Sequence, residues 1–269
     1  MIEYRLFFQR RSGGHALVEW IASHFETPGV LVNSLRPNVK WNLPPTKYWN
    51  IRYPVAYKNM MGFPVENVAA DEDELRKREK GNLIFDHTFV ITTYEDPLRY
   101  SDTLNKAKID GVNSRTIIPI YIYRDVYNHI ISRLQFDLKR KKSQPPGWYD
   151  DCIDHWKILT TDPSFDCFDL NYNKWFKLKT KRMRIGKILG FPNNDGRLNL
   201  TMPNFGGGSS FTGVKEKANY EQITNRWRGW IKKFGIKGKF KQVLDDDVLR
   251  EINLKKFGWA LSKKGKLIT

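Results

Sequence analysis

The sequence predicts an α/β fold of three layers, in which helices flank a central parallel β-sheet. Apolar segments rich in β-branched and aromatic residues alternate with amphipathic segments of helical period, and this order produces βαβ units. The strongest apolar segment, Thr116–Tyr123, lacks any polar alternation, which is typical of a strand buried on both faces of a parallel sheet. Pro119 is the one residue in it that a central strand disfavours.

The length of the chain is sufficient for one large domain. Of its 269 residues, 40% are hydrophobic and 14% aromatic, which allows a sizeable core. We find no internal repeat. We therefore expect a single domain over residues 1–269, with an irregular insertion at about 34–80 that contributes to a substrate site.

The first half of the chain contains four candidate strands and one long segment without a clear period. The strands are expected at 4–9, Gly29–Asn33, 88–94 and Thr116–Tyr123. An amphipathic helix is expected at 16–25, and the charged segment 71–80 is interpreted as a solvated helix. Residues 34–68, which are rich in Pro, Asn, Trp and Tyr, show no regular pattern.

The second half continues the alternation and then becomes helical. Helices are expected at 126–138, 148–159 and 172–189, with a strand at 165–170 between the last two. A glycine-rich stretch at 205–211 precedes a helical C-terminal third that carries several tryptophans.

Positive charge dominates the composition. Lys and Arg total 46 against 29 Asp and Glu, and the net charge of +17 favours anionic partners without saying which. The two cysteines, Cys152 and Cys167, have no metal-ligand spacing and indicate a reducing compartment. Arginines interrupt the N-terminal apolar stretch and no run is long enough to span a bilayer, so we expect a soluble, cytoplasmic protein.

A candidate anion site lies at residues 11–16, between the first strand and the first helix. Gly13 and Gly14 allow a close backbone approach, Ser12 can donate a hydrogen bond, and Arg11 adds a positive fork beside the helix N-terminus. An ordinary glycine turn is the alternative interpretation. No G-x-x-x-x-G-K-[ST] motif occurs, which argues against an ATP- or GTP-hydrolysing enzyme.

Two further segments could hold anions. Arg124 ends the strongest strand, and Ser132 follows eight residues later in the next helix; the alternative makes Arg124 a surface charge paired with Asp125 and Ser132 a packing residue. The backbone of Gly207, Gly208, Ser209 and Ser210 could form a nest of N–H groups or a flexible linker.

Polar residues follow three of the predicted strands at their carboxyl ends. These are the loop that begins with Arg11, Glu95 after the third strand, and Arg124 after the fourth. Because ligands of parallel sheets bind beyond the carboxyl ends of the strands, we expect one active site there.

Together these segments resemble the sulfotransferases that use 3′-phosphoadenosine 5′-phosphosulfate (PAPS). Residues 11–15 are similar to the family's K/R-S-G-T-T loop, which holds the 5′-phosphosulfate. Arg124 and Ser132 keep the spacing of the family's 3′-phosphate motif, and Tyr172 is similar to a tyrosine that contacts the adenine. The loop 207–210 is similar to one that returns to the 3′-phosphate, and segments 224–227 and 257–259 are similar to family C-termini.

The resemblance implies a P-loop nucleotide-binding sulfotransferase fold. It implies transfer of a sulfonate group from PAPS to a hydroxyl or amine of a phenol, an alcohol or a carbohydrate, with PAP as product and no metal. The catalytic residues that it implies are Arg11, His15 and Glu95. The implied cofactor-binding residues are Arg11, Ser12, Gly13, Gly14, His15, Ala16, Arg124, Ser132, Tyr172, Gly207, Gly208, Ser209 and Ser210.

The chain departs from the family pattern at several positions. Arg11 stands where many members have Lys, Gly14 and His15 where they have hydroxyl residues, and Val126 where they have Pro. Glu95 occupies the place of the histidine base of cytosolic members, counted back from Pro97. Members that act on carbohydrates often use a carboxylate base, but Asp96, His87 and His15 are alternatives.

Two other functions are alternatives to this one. The first is a P-loop kinase for a small molecule, which would need ATP and magnesium. The second is a basic binding protein for nucleic acid or another polyanion, motivated by the runs at 139–142, 232–241 and 263–266, although such runs are usually solvated faces. A nucleic-acid partner is not favoured, and the sequence is compatible with a homodimer. Aromatic residues in 34–68 could stack on an acceptor ring or form a local core.

Overall fold

A six-stranded sheet forms the centre of the computed structural model. The structure describes residues 2–25, 29–33, 50–55, 89–95, 116–140, 144, 146–161, 167–191 and 224–269. The strands are β1 (Ile2–Phe8), β2 (Gly29–Asn33), β3 (Asn50–Val55), β4 (Phe89–Glu95), β5 (Thr116–Tyr123) and β6 (Phe168–Asn171). Their order across the sheet is β3-β2-β4-β1-β5-β6.

Parallel pairing dominates the sheet. β1 lies between β4 and β5 and runs parallel to both, β2 is parallel to β4, and β6 is parallel to β5. Neighbouring parallel strands cannot be joined by a tight hairpin, so the chain must cross over between them. The predicted α/β class with a central parallel sheet is therefore confirmed.

Strand β3 differs from the prediction, because it lies within the segment that was expected to be irregular. It pairs antiparallel with β2 at the edge of the sheet. Its sequence, Asn-Ile-Arg-Tyr-Pro-Val, alternates apolar and polar residues only briefly and contains Pro54. Proline is tolerated at a sheet edge, where one ladder hydrogen bond is not needed, so this strand gives a weak sequence signal.

Eight helices lie in the described part of the chain. They are α1 (Gly14–Ala22), α2 (Val126–Arg140), α3 (Trp148–Thr161), α4 (Tyr172–Lys177), α5 (Lys179–Ile188), α6 (Arg226–Phe234), α7 (Gly238–Asp245) and α8 (Asp247–Phe257). A short hairpin of β7 (Ala260–Leu261) and β8 (Leu267–Ile268) follows them.

The predicted helix over 172–189 is divided into two. Leu178 has extended backbone angles, φ −107° and ψ 112°, and separates α4 from α5. The buried Arg182 donates from Nη1 to the carbonyl oxygens of Trp175 at 2.9 Å and Phe176 at 2.8 Å. These bonds satisfy carbonyls that the end of α4 leaves unpaired, which stabilises the break.

The two faces of β1 carry different side chains. Tyr4, Leu6 and Phe8 face an apolar cluster with α1, α4 and Leu189. The other face buries an ion pair in which Arg5 Nε donates to Glu3 Oε1 at 2.9 Å. Gln9 follows β1, and its Nε2 donates to the backbone oxygen of Cys152 in α3 at 3.0 Å. Helices thus cover both faces of the sheet, as a three-layer architecture requires.

A second apolar cluster joins the C-terminal helices to α2 and α3. Its largest members include Tyr127 of α2, Trp156 of α3, Trp230 of α6 and Phe240 of α7. Burial of side chains of this size contributes about 1.5–3 kcal/mol each. This cluster holds the start of α6 against α2. No helix among the described residues has the length and apolar character that a membrane span needs.

Substitution of Gly14 should destabilise the fold. A Cβ at this first residue of α1 would lie 2.2 Å from the Phe8 ring. We expect Gly14→Ala to lower the free energy of unfolding by about 1–3 kcal/mol, the usual cost of overpacking. Gly229→Ala in α6 is the control, because nothing lies within 4 Å of its Cβ and alanine favours a helix by up to ~1 kcal/mol. Urea unfolding that shows equal effects for the two variants would contradict this packing.

Candidate functional site

The strand register brings the carboxyl ends of four strands to one edge of the sheet. Phe8, the last residue of β1, pairs with Glu95 of β4 and with Ile122 of β5. Tyr123, the last residue of β5, pairs with Asn171 of β6. The loop 9–13 therefore leaves the sheet beside Glu95 on one side and Arg124 on the other.

The loop 9–13 forms a tight turn that leads directly into α1. Ser12 N–H donates to the Gln9 oxygen at 3.0 Å, and Ala16 N–H donates to the Gly13 oxygen at 3.0 Å. Arg11 and Gly13 both have positive φ, 76° and 98°. A Cβ at Gly13 would lie 2.1 Å from the Tyr172 ring, so glycine is required there because the ring packs onto the loop.

Arg11 is held from two sides. Its guanidinium carbon lies 3.9 Å from the centroid of the Phe136 ring in α2, a cation–π contact. Its backbone oxygen accepts a hydrogen bond from Nη1 of Arg124 at 3.4 Å. Arg11 and Arg124 therefore lie at the same end of the sheet and are connected directly.

Arg124 is buried, with 3% of its surface exposed, so the interpretation of this residue as a surface charge is wrong. Its backbone oxygen accepts from Trp156 Nε1 at 2.7 Å, and its guanidinium carbon lies 5.4 Å from the Tyr172 ring centroid. Tyr172, the first residue of α4, is itself buried. The side chain of Arg124 is thus placed between the loop 9–13 and α4.

Asp125 connects three parts of the chain through its buried carboxylate. Asn128 donates to it from its backbone N–H at 2.9 Å and from Nδ2, and Asn173 of α4 donates from Nδ2 at 2.8 Å. Burial raises the pKa of the Asp125 carboxyl, while Arg124 and these hydrogen bonds act to lower it. The same Asn128 donates to the Thr224 oxygen and accepts from the Arg226 N–H at 2.9 Å.

Arg226 reaches the site from a segment 94 residues distant in sequence. Its Nη1 donates to Ser132 Oγ at 3.1 Å. Burial, together with the nearby charges of Arg124 and Arg11, lowers the pKa of Arg226 to about 9. A lowered arginine pKa means that the cationic form is destabilised, which is the condition that a bound anion relieves.

Ser12 and two residues of α2 form a buried hydrogen-bonded chain. Ser12 Oγ lies 3.1 Å from Nδ1 of His129, and Nε2 of the same ring lies 3.1 Å from Nε of Arg133. Burial, Arg133 and Arg124 lower the pKa of His129 well below its usual value. His129 and Arg226 were not predicted as site residues, because their roles depend on contacts between distant segments.

The described structure covers only some of the predicted site residues. It brings together Arg11, Ser12, Gly13, Arg124, Ser132 and Tyr172. Glu95 ends β4 beside Phe8, and His15 is the second residue of α1. Gly14 begins α1 with its Cα against the Phe8 ring. The loop of Gly207, Gly208, Ser209 and Ser210 and the alternative bases Asp96 and His87 lie outside the described residues.

The arrangement can bind anions rather than cations. Three arginines and two serine hydroxyls lie around one edge, and the oxygens of the neighbouring Asp125 already accept from Asn128 and Asn173. Within the described ranges, no group of three or more His, Cys, Asp or Glu residues could hold a metal ion. Multiple guanidinium groups favour phosphate or sulfonate oxygens as ligands.

Comparison with solved structures shows a structural likeness to a sulfotransferase. No protein family and no curated protein matches the chain. A solved structure of the mouse sulfotransferase SULT7A1 complexed with PAP is similar over 94% of this chain and 84% of that one, with 12% sequence identity and a TM-score of 0.43. A likeness of that degree does not assign this chain to a family.

Proposed function

We propose that this protein is a sulfotransferase that moves a sulfonate group from PAPS to a hydroxyl or amine of a phenol, an alcohol or a carbohydrate. The observation that carries the proposal is the convergence of Arg11, Arg124 and Arg226 beside Ser12 and Ser132 at the carboxyl edge of the sheet. The order and spacing of the motifs resemble those of the PAPS-dependent family, and this resemblance indicates PAPS as the sulfonate donor.

PAPS carries anions at both ends of its ribose, and the site offers two groups of donors. Arg124, Ser132 and Arg226 would bind the 3′-phosphate, with the loop 207–210 as a further contact. The 5′-phosphosulfate would lie against the segment 11–16. Ser12 contacts His129, and Arg226 contacts Ser132 three residues further along α2, about 4.5 Å of helical rise. The two groups of donors are therefore adjacent, and Tyr172 borders them.

In the proposed reaction the acceptor oxygen or nitrogen attacks sulfur in line with the phosphate. The bond between sulfur and the bridging phosphate oxygen breaks, PAP leaves, and the acceptor proton passes to a base. Such a loose transition state is stabilised by fixed positive groups, here Arg11 and the N–H groups of the loop with His15 beside them. No step requires a metal ion.

Glu95 is the proposed base. It ends β4 next to Phe8, so its backbone lies beside the first residues of the loop 9–13. A carboxylate that serves as base near neutral pH needs a raised pKa, which burial beside the donor would supply. Asp96, His87 and His15 are the alternative bases.

The first test is nucleotide affinity. Arg226→Gln should weaken PAP binding by about 10- to 100-fold, because a charged hydrogen bond contributes ~1.5–3 kcal/mol. Arg228→Gln is the matched control, since Arg228 lies on the same helix but is exposed and stacks on Trp227. Calorimetry with PAP measures both. Equal affinities for the two variants, or tighter binding of ATP with magnesium than of PAP, would contradict the proposal, and the second result would favour a kinase.

The second test separates donor binding from transfer. Glu95→Ala should reduce sulfonate transfer by about 10²- to 10⁴-fold, the usual contribution of a general base. PAP affinity should stay within about threefold of that of the unaltered protein. Transfer is measured with ³⁵S-labelled PAPS and a panel of phenols, alcohols, sugars and amines. Glu251→Gln, an exposed change on α8, is the control. Undiminished transfer by Glu95→Ala would assign the base to another residue.

A further inference from the structure

The ring of His129 is bonded at both nitrogens, and its partners determine which nitrogen carries hydrogen. Arg133 Nε is always a donor, and it lies 3.1 Å from His129 Nε2. Nε2 must therefore present its lone pair. In a neutral imidazole the hydrogen is then on Nδ1, which lies 3.1 Å from Ser12 Oγ.

The environment of the ring favours this neutral form. His129 is completely buried, and Ser12 and Arg133 are each 2% exposed. A second ring hydrogen on Nε2 would point at the Nε–H of Arg133. Burial and the positive charges of Arg133 and Arg124 lower the pKa of His129 in agreement with this geometry. Arg133 is itself held with its guanidinium carbon 5.0 Å from the Trp148 ring centroid.

The tautomer of His129 determines what the Ser12 hydroxyl can do. When Oγ accepts from Nδ1–H, the hydroxyl hydrogen remains available for a different acceptor. With the opposite tautomer the hydroxyl would donate to the ring and present lone pairs to any anion on the loop. In a buried chain each hydrogen bond polarises the next, which strengthens the last donor.

We propose that His129 is a positioning residue that holds the Ser12 hydroxyl as a hydrogen-bond donor to the anion bound on the loop 9–13. Arg133 determines the tautomer of the His129 ring, and the ring determines the direction of the Ser12 hydroxyl hydrogen. The hydroxyl then contacts the phosphosulfate end of the nucleotide. This inference rests on the proposed function, because it takes the anion to be that of PAPS or PAP. His129 itself does not touch the ligand.

A spectroscopic measurement tests the tautomer of His129 without any nucleotide. Long-range ¹H–¹⁵N correlation spectra of the full chain should show His129 with hydrogen on Nδ1 and a lone pair on Nε2 between pH 6 and 8. The resonance is assigned by its absence from His129→Asn. A ring with hydrogen on Nε2, or a doubly protonated ring, would overturn the proposal whatever the nucleotide does.

A double-mutant cycle tests whether His129 acts on PAP binding through the Ser12 hydroxyl. Ser12→Ala and His129→Gln should each weaken PAP binding by about 10- to 100-fold, and the double variant should be no weaker than either alone. Gln can accept from Arg133 at the place of Nε2, whereas the shorter Asn places a donor near Nδ1. His129→Asn should therefore recover PAP affinity to within about threefold of that of the unaltered chain. Thermal unfolding confirms that each variant is folded.

The outcomes separate this inference from the proposed function. Additive losses in the double variant, or equal losses for His129→Gln and His129→Asn, would overturn the role of His129 while PAP binding by the unaltered chain still supports a sulfotransferase. Failure of the unaltered chain to bind PAP would overturn the proposed function, and the role of His129 toward that nucleotide with it.

Discussion

The buried carboxylate of Asp125 is the constraint on which the site depends. It accepts hydrogen bonds from Asn128 at the start of α2 and from Asn173 in α4. Through Asn128 it also fixes the backbone at Thr224 and Arg226. A buried charge is costly unless it is paired and hydrogen-bonded, so the segments that satisfy this carboxylate are held together by the penalty of leaving it unsatisfied.

That constraint explains how like charges gather at one edge of the sheet. Arg124 lies close enough to Arg226 for its charge to lower the pKa of Arg226. Their mutual repulsion opposes the arrangement, and the apolar packing of α2, α6 and α7 together with the Asp125 bonds sustains it. A site assembled against repulsion in this way is preorganised for a multiply charged anion.

One face of helix α2 contacts the anion site, and other residues of this helix pack against the C-terminal helices. His129, Ser132, Arg133 and Phe136 recur at the spacing of one helical face, and each contacts a residue of the site or of its support. Residues between them, such as Ile130 and Ile131, belong to the apolar cluster with the C-terminal helices. Helix α2 therefore connects the packed C-terminal helices to the anion site.

The local sequence pattern predicts much of the sheet. It does not predict the long-range contacts that bring Arg226 and His129 to the site. The runs Gly29–Asn33 and Thr116–Tyr123 form strands with the predicted bounds, because continuous apolar runs have a strong local signal. β3 and the break at Leu178 were not predicted. Pro54 weakens the sequence signal of the strand, and the hydrogen bonds from Arg182 to the carbonyl oxygens of Trp175 and Phe176 stabilise the break. The spacing of Arg124 and Ser132 is visible in sequence. The contacts of Arg226 and His129 join segments 94 and 117 residues apart, which no local pattern records.

The three guanidinium groups and the loop 9–13 are expected to bind one nucleotide. A crystal structure with PAP tests it directly. We expect the 3′-phosphate among Arg124, Ser132 and Arg226, and the 5′-phosphate about 3 Å from Ser12 Oγ. PAP bound elsewhere on the molecule, with the arginines still together and no nucleotide between them, would contradict it.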